Sequence, residues 1–191
     1  MHPQPPRRTT HAYGTPRNLL VYDRWGRFGR PVVLLHGLRY DRTMWWPLAA
    51  ELGDGVSAVA VDLPGHGQSA ARDDCGAGDL AHDLAMLVNS LDLRRAPILI
   101  AHAESARLAE TFAERYVTHR VITVGCGDPE SLDDVPELYR QFAVPRQNPD
   151  LLDGYREWLA EPLPRSTHLG AEHFPHLRDP AGFAALLLTM R

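Results

Sequence analysis

The stretch that decides the fold is "ILIAHAESARLAETFAERY", residues 98–116. Its beginning is a short, fully apolar run, which is typical of a buried strand. Its second half places Leu108, Ala109 and Phe112 on one face at helical spacing, which predicts a helix over 105–116. Between them stands Ala-His-Ala-Glu-Ser, residues 101–105, with small residues at both ends. The stretch therefore predicts a strand that turns sharply into a helix.

The same alternation of strand and helix recurs along the chain. Apolar, β-branched runs at 31–35, 56–61 and 121–124 resemble the run at 97–101. Amphipathic helical periods lie at 80–91 and 180–191. Strands that are apolar on both faces and separated by helices are typical of parallel sheets. We predict an α/β fold with a mostly parallel sheet and helices on both faces.

Composition limits the function classes. The chain has 191 residues, of which 44% are hydrophobic and 23% charged, which suits one globular domain. A net charge of −4 gives no electrostatic reason to expect nucleic acid or anionic membrane as a partner. Cys75 and Cys126 define neither a disulfide framework nor a zinc site. The first residues carry no apolar signal segment and no run is long enough to span a bilayer, so we predict a cytoplasmic protein. The oligomeric state is not indicated.

The domain organisation is simple. Residues 1–17, basic and proline-rich, are expected to be a flexible N-terminus, and residues 18–191 a single domain. Residues 126–165 break the strand rhythm and are interpreted as a reduced lid. Two short helices are expected there: one after Ser131, which with Asp134 resembles a capping box, and one over 148–160.

Four motifs in order carry a resemblance to a known family. They are His36-Gly37 after the run at 31–35, Asp62 with Gly65-His66-Gly67, the turn at 101–105, and "AEHFPHLRDPAGFAALL" at 171–187. Together they resemble the α/β-hydrolase fold family. The resemblance covers residues 18–125 well and 166–190 moderately, whereas 126–165 match poorly, as expected for a truncated lid.

The resemblance implies that the turn at 101–105 is a nucleophile elbow. Ala103 then stands at the nucleophile position without a nucleophilic side chain, and His102 matches the histidine that often precedes the nucleophile. The competing frame makes Ser105 the nucleophile. It is disfavoured because Ser105 would lie inside the helix and Arg107 would occupy a position that must be small.

The resemblance also implies an oxyanion hole and a catalytic pair. The backbone N–H groups of Leu38 and Glu104 would be the oxyanion donors. His173 would be the general base, with His176 as its rival. Asp128, which follows a strand end, is the best candidate for the acid. It lies 45 positions before His173, which implies either that a strand and most of the lid are missing or that the acid has moved one strand earlier, as in some family members. A turn or capping role is an equal alternative.

Substrate contacts are a looser expectation, and the candidates lie near the implied oxyanion loop or the elbow: His36, Gly37, Tyr40, Trp45 and His102. A histidine that fixes its own loop is the alternative for His36, and equally for His66. No metal site is expected, because the possible ligands come from separate loops with different tasks. No cofactor is expected, and the partner is a small organic substrate.

Three hypotheses account for Ala103. In the first, the natural gene encodes serine at position 103 and alanine replaces it to trap a substrate. The natural protein is then a hydrolase of an ester, lactone or related bond. Alternatively, a His–Asp pair acts without a nucleophile in a cyclisation, an elimination or a water attack. Finally, the protein binds a ligand or partner on a hydrolase scaffold without catalysis.

Overall fold

Six strands form one sheet in the computed structural model, which describes residues 7–125, 132–145, 149–160 and 172–190. The strands run in the order β1-β2-β4-β3-β5-β6 across the sheet. Their bounds are β1 Thr9–Tyr13, β2 Leu20–Trp25, β3 Arg30–Leu35, β4 Val56–Val61, β5 Ile98–His102 and β6 Arg120–Val124.

The centre of the sheet is parallel, as the sequence predicts. β3 pairs with β4 on one side and with β5 on the other, and β5 pairs with β6, all in parallel. Leu34 lies opposite Ala60 on β4 and opposite Ile100 on β5. The carboxyl ends of β3, β4 and β5 therefore meet at one edge of the sheet, where open α/β folds place their ligands.

The first two strands are antiparallel and extend the sheet at one edge. The prediction for residues 1–17 differs from the structure over Thr9–Tyr13, which pair with β2 in the register Thr10↔Asp23. The hydroxyl of Thr10 also donates to Asp23 Oδ1 at 2.6 Å. Most of β1 is exposed, so it has no apolar run for sequence reasoning to detect.

Helices cover both faces of the sheet. The α-helices are α1 Trp46–Glu51, α2 Ala77–Ser90, α3 Ala106–Arg115, α4 Glu137–Arg140, α5 Pro149–Leu152, α6 Arg156–Ala160, α7 Pro175–Arg178 and α8 Pro180–Thr189. Short 3-10 turns lie at Arg42–Trp45, Gly53–Gly55, Ala103–Ser105 and Asp153–Tyr155. No helix within the described ranges combines the length and the apolar character needed to cross a bilayer.

Two apolar clusters follow from the alternation of side chains along the strands. Val32 and Leu34 point to the face covered by α1 and α8. Val33 and Leu35 point to the opposite face, covered by α2 and α3. Because each central strand is buried on both sides, the sequence shows continuous apolar runs rather than alternation.

The lid-like segment follows the sequence prediction only in part. The helix expected over 148–160 is divided into α5 and α6 by a 3-10 turn that contains Gly154. At this break the N–H of Cys75 donates to Gly154 O at 3.1 Å, and the hydroxyl of Tyr155 donates to Pro64 O at 2.8 Å. The segment is thus tied to the loop after β4. Ser131 and the strand expected at 166–169 lie outside the described residues.

Candidate active site

The turn after β5 has an unusual backbone. Ala103 has φ +49°, the left-handed region that costs a residue with a β-carbon about 1–2 kcal/mol. The hydroxyl of Ser105, fully buried, donates to the backbone carbonyl of His36 and ties the turn to the loop after β3. Because this hydroxyl is already engaged, the geometry argues against Ser105 as an exposed nucleophile.

The loop after β3 is held by two histidines. His36 Nε2 accepts from the N–H of Leu63 at 3.0 Å, so Nδ1 carries the proton and donates to Gly37 O at 2.8 Å. His66 bridges Pro64 O at 3.1 Å and Leu38 O at 2.9 Å. Burial, with a smaller contribution from His66, keeps the pKa of His36 well below its usual value. Both rings therefore bind backbone, which favours the loop-fixing alternative for them.

The loop after β3 and the Ala103 turn meet through a contact that the sequence did not predict. The N–H of Leu38 donates to Oε2 of Glu104 at 3.3 Å. This N–H is the group that the resemblance assigns to an oxyanion. In the structure, a carboxylate oxygen of the chain itself occupies that position.

Gly37 is needed where these two loops meet. A β-carbon at residue 37 would lie 2.6 Å from His102 Nδ1, 3.3 Å from Glu104 Oε2 and 3.4 Å from the ring of Tyr40. No side chain fits between groups this close. The three side chains therefore border one point at the carboxyl end of β3.

His102 joins the turn to the segment that carries His173. Its Nε2 lies 2.9 Å from the backbone carbonyl of His173 and must donate, which leaves Nδ1 as an acceptor. Nδ1 is buried and has no hydrogen-bond partner. Burial, followed by the proximity of His173 and His176, keeps the pKa of His102 well below its usual value. This ring is thus a neutral acceptor.

The two candidate bases lie in different surroundings. The His173 ring packs edge-on against His102, with ring centroids 4.5 Å apart, and is 8% exposed. His176 is fully buried against Trp45, with centroids 4.2 Å apart, and burial, reinforced by His173, lowers its pKa to about 3. Both rings therefore lie beside His102, which precedes Ala103, but His173 lies closer, at 4.5 Å between centroids against 5.8 Å for His176.

The remaining candidates are placed as follows. Asp128 lies outside the described residues, so its role remains a prediction. Trp45 is fully buried in the core, where packing accounts for it. Tyr40 is buried with its ring at right angles to the stacked rings of His102 and Phe174, and its hydroxyl has no hydrogen-bond partner. Burial and the charge of Glu104, opposed by Arg39, raise the pKa of Tyr40 to about 12, so the hydroxyl stays protonated.

Sequence reasoning missed the ion-pair network beside this site. The guanidinium of Arg42, in the loop before α1, pairs with Asp62 and with Asp23, the latter at 3.0 Å. Asp62 thus has a structural partner. The only sequence feature that points to this network is the position of Asp62 at a strand end, and this position does not indicate that Arg42 is its partner.

The described cavities lie away from these residues. One of about 770 Å³ is lined by residues of the β1–β2 hairpin, including Arg7, Arg24 and Phe28. Another, of about 470 Å³, lies between α2 and α3. None of the residues around Ala103 lines these cavities. The candidate site is therefore identified by its residues and backbone geometry, and not by the size of a cavity. Within the described ranges, no group of three or more His, Cys, Asp or Glu side chains is arranged to hold a metal ion.

Comparison with known proteins gives a consistent family. The model of the alpha/beta hydrolase family matches residues 32–162. An uncharacterized protein of Mycobacterium tuberculosis is 30% identical over 120 residues, which are 61% of this chain and 34% of that protein. A 2-(acetamidomethylene)succinate hydrolase of Mesorhizobium japonicum is 34% identical over 90 residues, which are 46% of this chain and 32% of that protein. The chain thus spans about a third of the length of these curated relatives.

Solved structures show the same fold. The crystal structure of an E-2-(acetamidomethylene)succinate hydrolase superposes with a TM-score of 0.75 at 17% identity, over 96% of this chain and 99% of that chain. The Cif epoxide hydrolase from Acinetobacter nosocomialis superposes with a TM-score of 0.58 at 19% identity, over 65% of this chain and 40% of that chain. At these identities the likeness concerns the fold alone.

Proposed function

The chain belongs to the alpha/beta hydrolase family, and we propose that it acts on a small organic molecule with an ester, lactone or related bond at the turn around Ala103. The observation that carries the proposal is the left-handed backbone of Ala103 at the carboxyl end of β5. A strained turn at this place exposes one side chain above the sheet in catalytic hydrolases. Strain of this kind persists where the surrounding structure enforces it.

The roles in the proposed site are those that the resemblance to the family implies. Ala103 holds the nucleophile position, His173 is the base, and Asp128 orients the base. The N–H groups of Leu38 and Glu104 would be the oxyanion donors, which requires the Glu104 carboxylate to release the N–H of Leu38. His102 supports this arrangement, since it binds the His173 backbone and lies next to Ala103 in the chain.

Ala103 restricts the chemistry that this site performs. A methyl group cannot attack a carbonyl. Loss of the nucleophile of a triad typically lowers the rate about 10⁶-fold. In the chain as it stands, His173 would instead take a proton from water as the water attacks the bound substrate. Ligand binding without turnover is the second candidate, and the engagement of Leu38 N–H by Glu104 favours it.

The relatives support the substrate class. One is named a hydrolase of 2-(acetamidomethylene)succinate, and a relative from Mycobacterium tuberculosis, 45% identical over 51 residues, is named an esterase. Both names describe hydrolysis. We therefore expect an acyl compound of small size as the substrate, and the proposal extends no further.

The test is to supply the missing nucleophile. Ala103→Ser should become labelled by a fluorophosphonate, because the serine would need only a base and oxyanion donors. Labelling should fall as the pH drops through the histidine range, since a protonated imidazole cannot accept the serine proton. The matched control is Ala103→Ser with His173→Gln, in which labelling should be lost. A folded Ala103→Ser protein that shows no labelling would reject the hydrolytic proposal and favour binding alone.

A further inference from the structure

The cavity of about 770 Å³ beside the start of β1 and the end of β2 has a basic lining. Arg7, Arg24 and Arg27 border it, and none of the described residues that line it is an aspartate or a glutamate. Over the ranges that the structure describes, none of these three arginines forms an ion pair with a carboxylate. The charges of this arginine cavity are therefore available to a ligand.

The pairing of β1 with β2 places the lining groups on one face. Thr9 lies opposite Arg24 in the register of the two strands, and both border the cavity together with His11. Successive side chains along an extended chain point to opposite faces. Arg8 accordingly lies on the other face, with its Cζ atom 3.6 Å from the centre of the Trp46 ring. Of two adjacent arginines, one thus borders the cavity and the other does not.

The guanidinium of Arg24 is fixed before any ligand binds. Its Nε donates to Gly26 O at 3.1 Å and to Ser57 Oγ at 3.0 Å, and its Nη2 donates to Arg27 O at 3.0 Å. The two N–H groups of Nη1 and one of Nη2 have no acceptor among the described residues. A donor group that is already held in place loses little conformational freedom when it binds an anion.

An aromatic ring borders the same cavity. Phe28, in the segment between β2 and β3, is 77% exposed and belongs to the lining. Ligand sites combine apolar surface with a few polar groups that fix the orientation of the ligand. The arginine cavity therefore suits a ligand with an anionic group at one end and an apolar group at the other.

The distribution of charge along the sequence also favours an anionic ligand. Residues 1–30 contain six arginines and a single acidic residue, Asp23, although the whole chain has a net charge of −4. Asp23 is fully buried and pairs with Arg42, so it does not neutralise the cavity. A local basic region on an acidic molecule attracts anions to that region.

We propose that the arginine cavity binds a small phosphate monoester whose apolar part lies against Phe28. A phosphate monoester carries a charge of about −1.5 to −2 at pH 7 and has three acceptor oxygens. It can therefore accept charge-assisted hydrogen bonds from more than one guanidinium. This site is separate from the Ala103 turn and does not depend on the proposed hydrolytic function.

Titration calorimetry with phenyl phosphate, inorganic phosphate and phenol tests the proposal. The unaltered chain should bind phenyl phosphate at least about fivefold more tightly than inorganic phosphate, because only the ester brings a ring to Phe28. Phenol should show no binding, since it lacks the charge. Phe28→Ala should lower the affinity for phenyl phosphate to that for inorganic phosphate. Added salt should weaken phenyl phosphate binding.

Arginine variants locate the anionic end of the ligand. Arg24→Gln should weaken phenyl phosphate binding at least about tenfold, and the exposed Arg7→Gln and Arg27→Gln at least about fivefold. The matched control is Arg8→Gln, which removes the same charge from the other face and should change the affinity less than about twofold. Because Arg24 also holds the segment at Gly26, the two exposed variants decide the test if Arg24→Gln does not fold.

Three outcomes would overturn the proposal. The first is equal affinity of the unaltered chain for phenyl phosphate and inorganic phosphate, or no binding of either. The second is a loss in Arg8→Gln as large as that in Arg27→Gln, which would indicate general attraction to the basic region and not a site. The third is co-sedimentation with vesicles of phosphatidylcholine and phosphatidic acid without phenyl phosphate binding, which would assign this surface to a membrane.

Discussion

At the scale of single residues, two positions around the site are constrained by the backbone. Ala103 is held in a conformation that suits glycine better than alanine. Gly37 is held where a side chain would collide with the His102 ring. A substitution at each position therefore tests whether the turn has the geometry described.

Ala103→Gly should leave the free energy of unfolding unchanged or raise it by up to about 1 kcal/mol, because glycine removes the left-handed strain but loses more chain entropy on folding. The control is Ala109→Gly in α3, a buried helical position, which should lose about 1 kcal/mol or more. Urea unfolding at neutral pH measures both. Equal losses in the two variants would contradict the left-handed turn.

Gly37→Ala should be destabilising by about 1–3 kcal/mol, since the added methyl group would lie 2.6 Å from the fully buried ring of His102. Gly76→Ala is the control, because a β-carbon there meets only ordinary contact, at 3.5 Å from Asp74. The two urea midpoints should differ clearly. A tolerated Gly37→Ala would mean that His102 can move away from the turn.

At the scale of elements, the loop before α1 is fastened to the sheet by Arg42. This side chain is 9% exposed and bridges Asp23 of β2 and Asp62 after β4. The N–H of Gln68 also donates to Asp62, at 2.9 Å. The network thus sets the path of the loops that follow β3 and β4, both of which border the candidate site.

Arg42→Met should therefore lower the free energy of unfolding by about 3–5 kcal/mol, because two buried carboxylates would lose their positively charged partner. Arg94→Met is the control. Its ion pair with Asp92 is exposed and long, at 3.9 Å, and its loss should have little effect. Circular dichroism during thermal unfolding checks both variants. A small effect of Arg42→Met would show that the carboxylates find water or protons instead.

The elements predicted correctly are those with strong periodicity. The residue pattern predicts the four parallel strands because they are buried on both faces, and it predicts helices α2, α3 and α8 because each has one apolar stripe. β1 escaped prediction because it is an exposed edge strand. The break at Gly154 depends on a long-range contact with Cys75, which no local pattern encodes.

At the scale of the whole molecule, the candidate site could be predicted as a set of loops but not as a set of contacts. The motif order located Ala103, Leu38 and His173 near one edge of the sheet. No residue pattern indicates that the Glu104 side chain turns back to the N–H of Leu38. Such a contact depends on side-chain rotamers and on the spacing of two loops that are far apart in the chain.

The stability of the whole molecule should depend on pH through its buried histidines. Burial keeps the pKa values of His36 and His102 well below the usual 6.5, and lowers that of His176 to about 3. The unfolded chain therefore binds protons that the folded chain does not, once the pH falls below about 6.5. The stability that these neutral histidines contribute is fully present above that pH, and it is lost progressively as the pH falls towards their pKa values in the folded chain. Stability should accordingly decrease on acidification.

His176→Phe isolates one part of this loss. The substitution keeps an aromatic ring against Trp45 and removes the buried ring nitrogens, neither of which has a hydrogen-bond partner. A histidine with this pKa shift lowers the free energy of unfolding of the chain by about 2 kcal/mol between pH 7 and pH 5. Over the same range, the free energy of unfolding of His176→Phe should therefore fall by about 2 kcal/mol less than that of the unaltered chain. His11→Gln, at an exposed position on β1, is the control and should follow the unaltered chain. Urea unfolding at the two pH values measures the free energy of unfolding of each protein. An equal decrease in His176→Phe and in the unaltered chain would contradict the prediction, because it would show that His176 becomes protonated without unfolding the core.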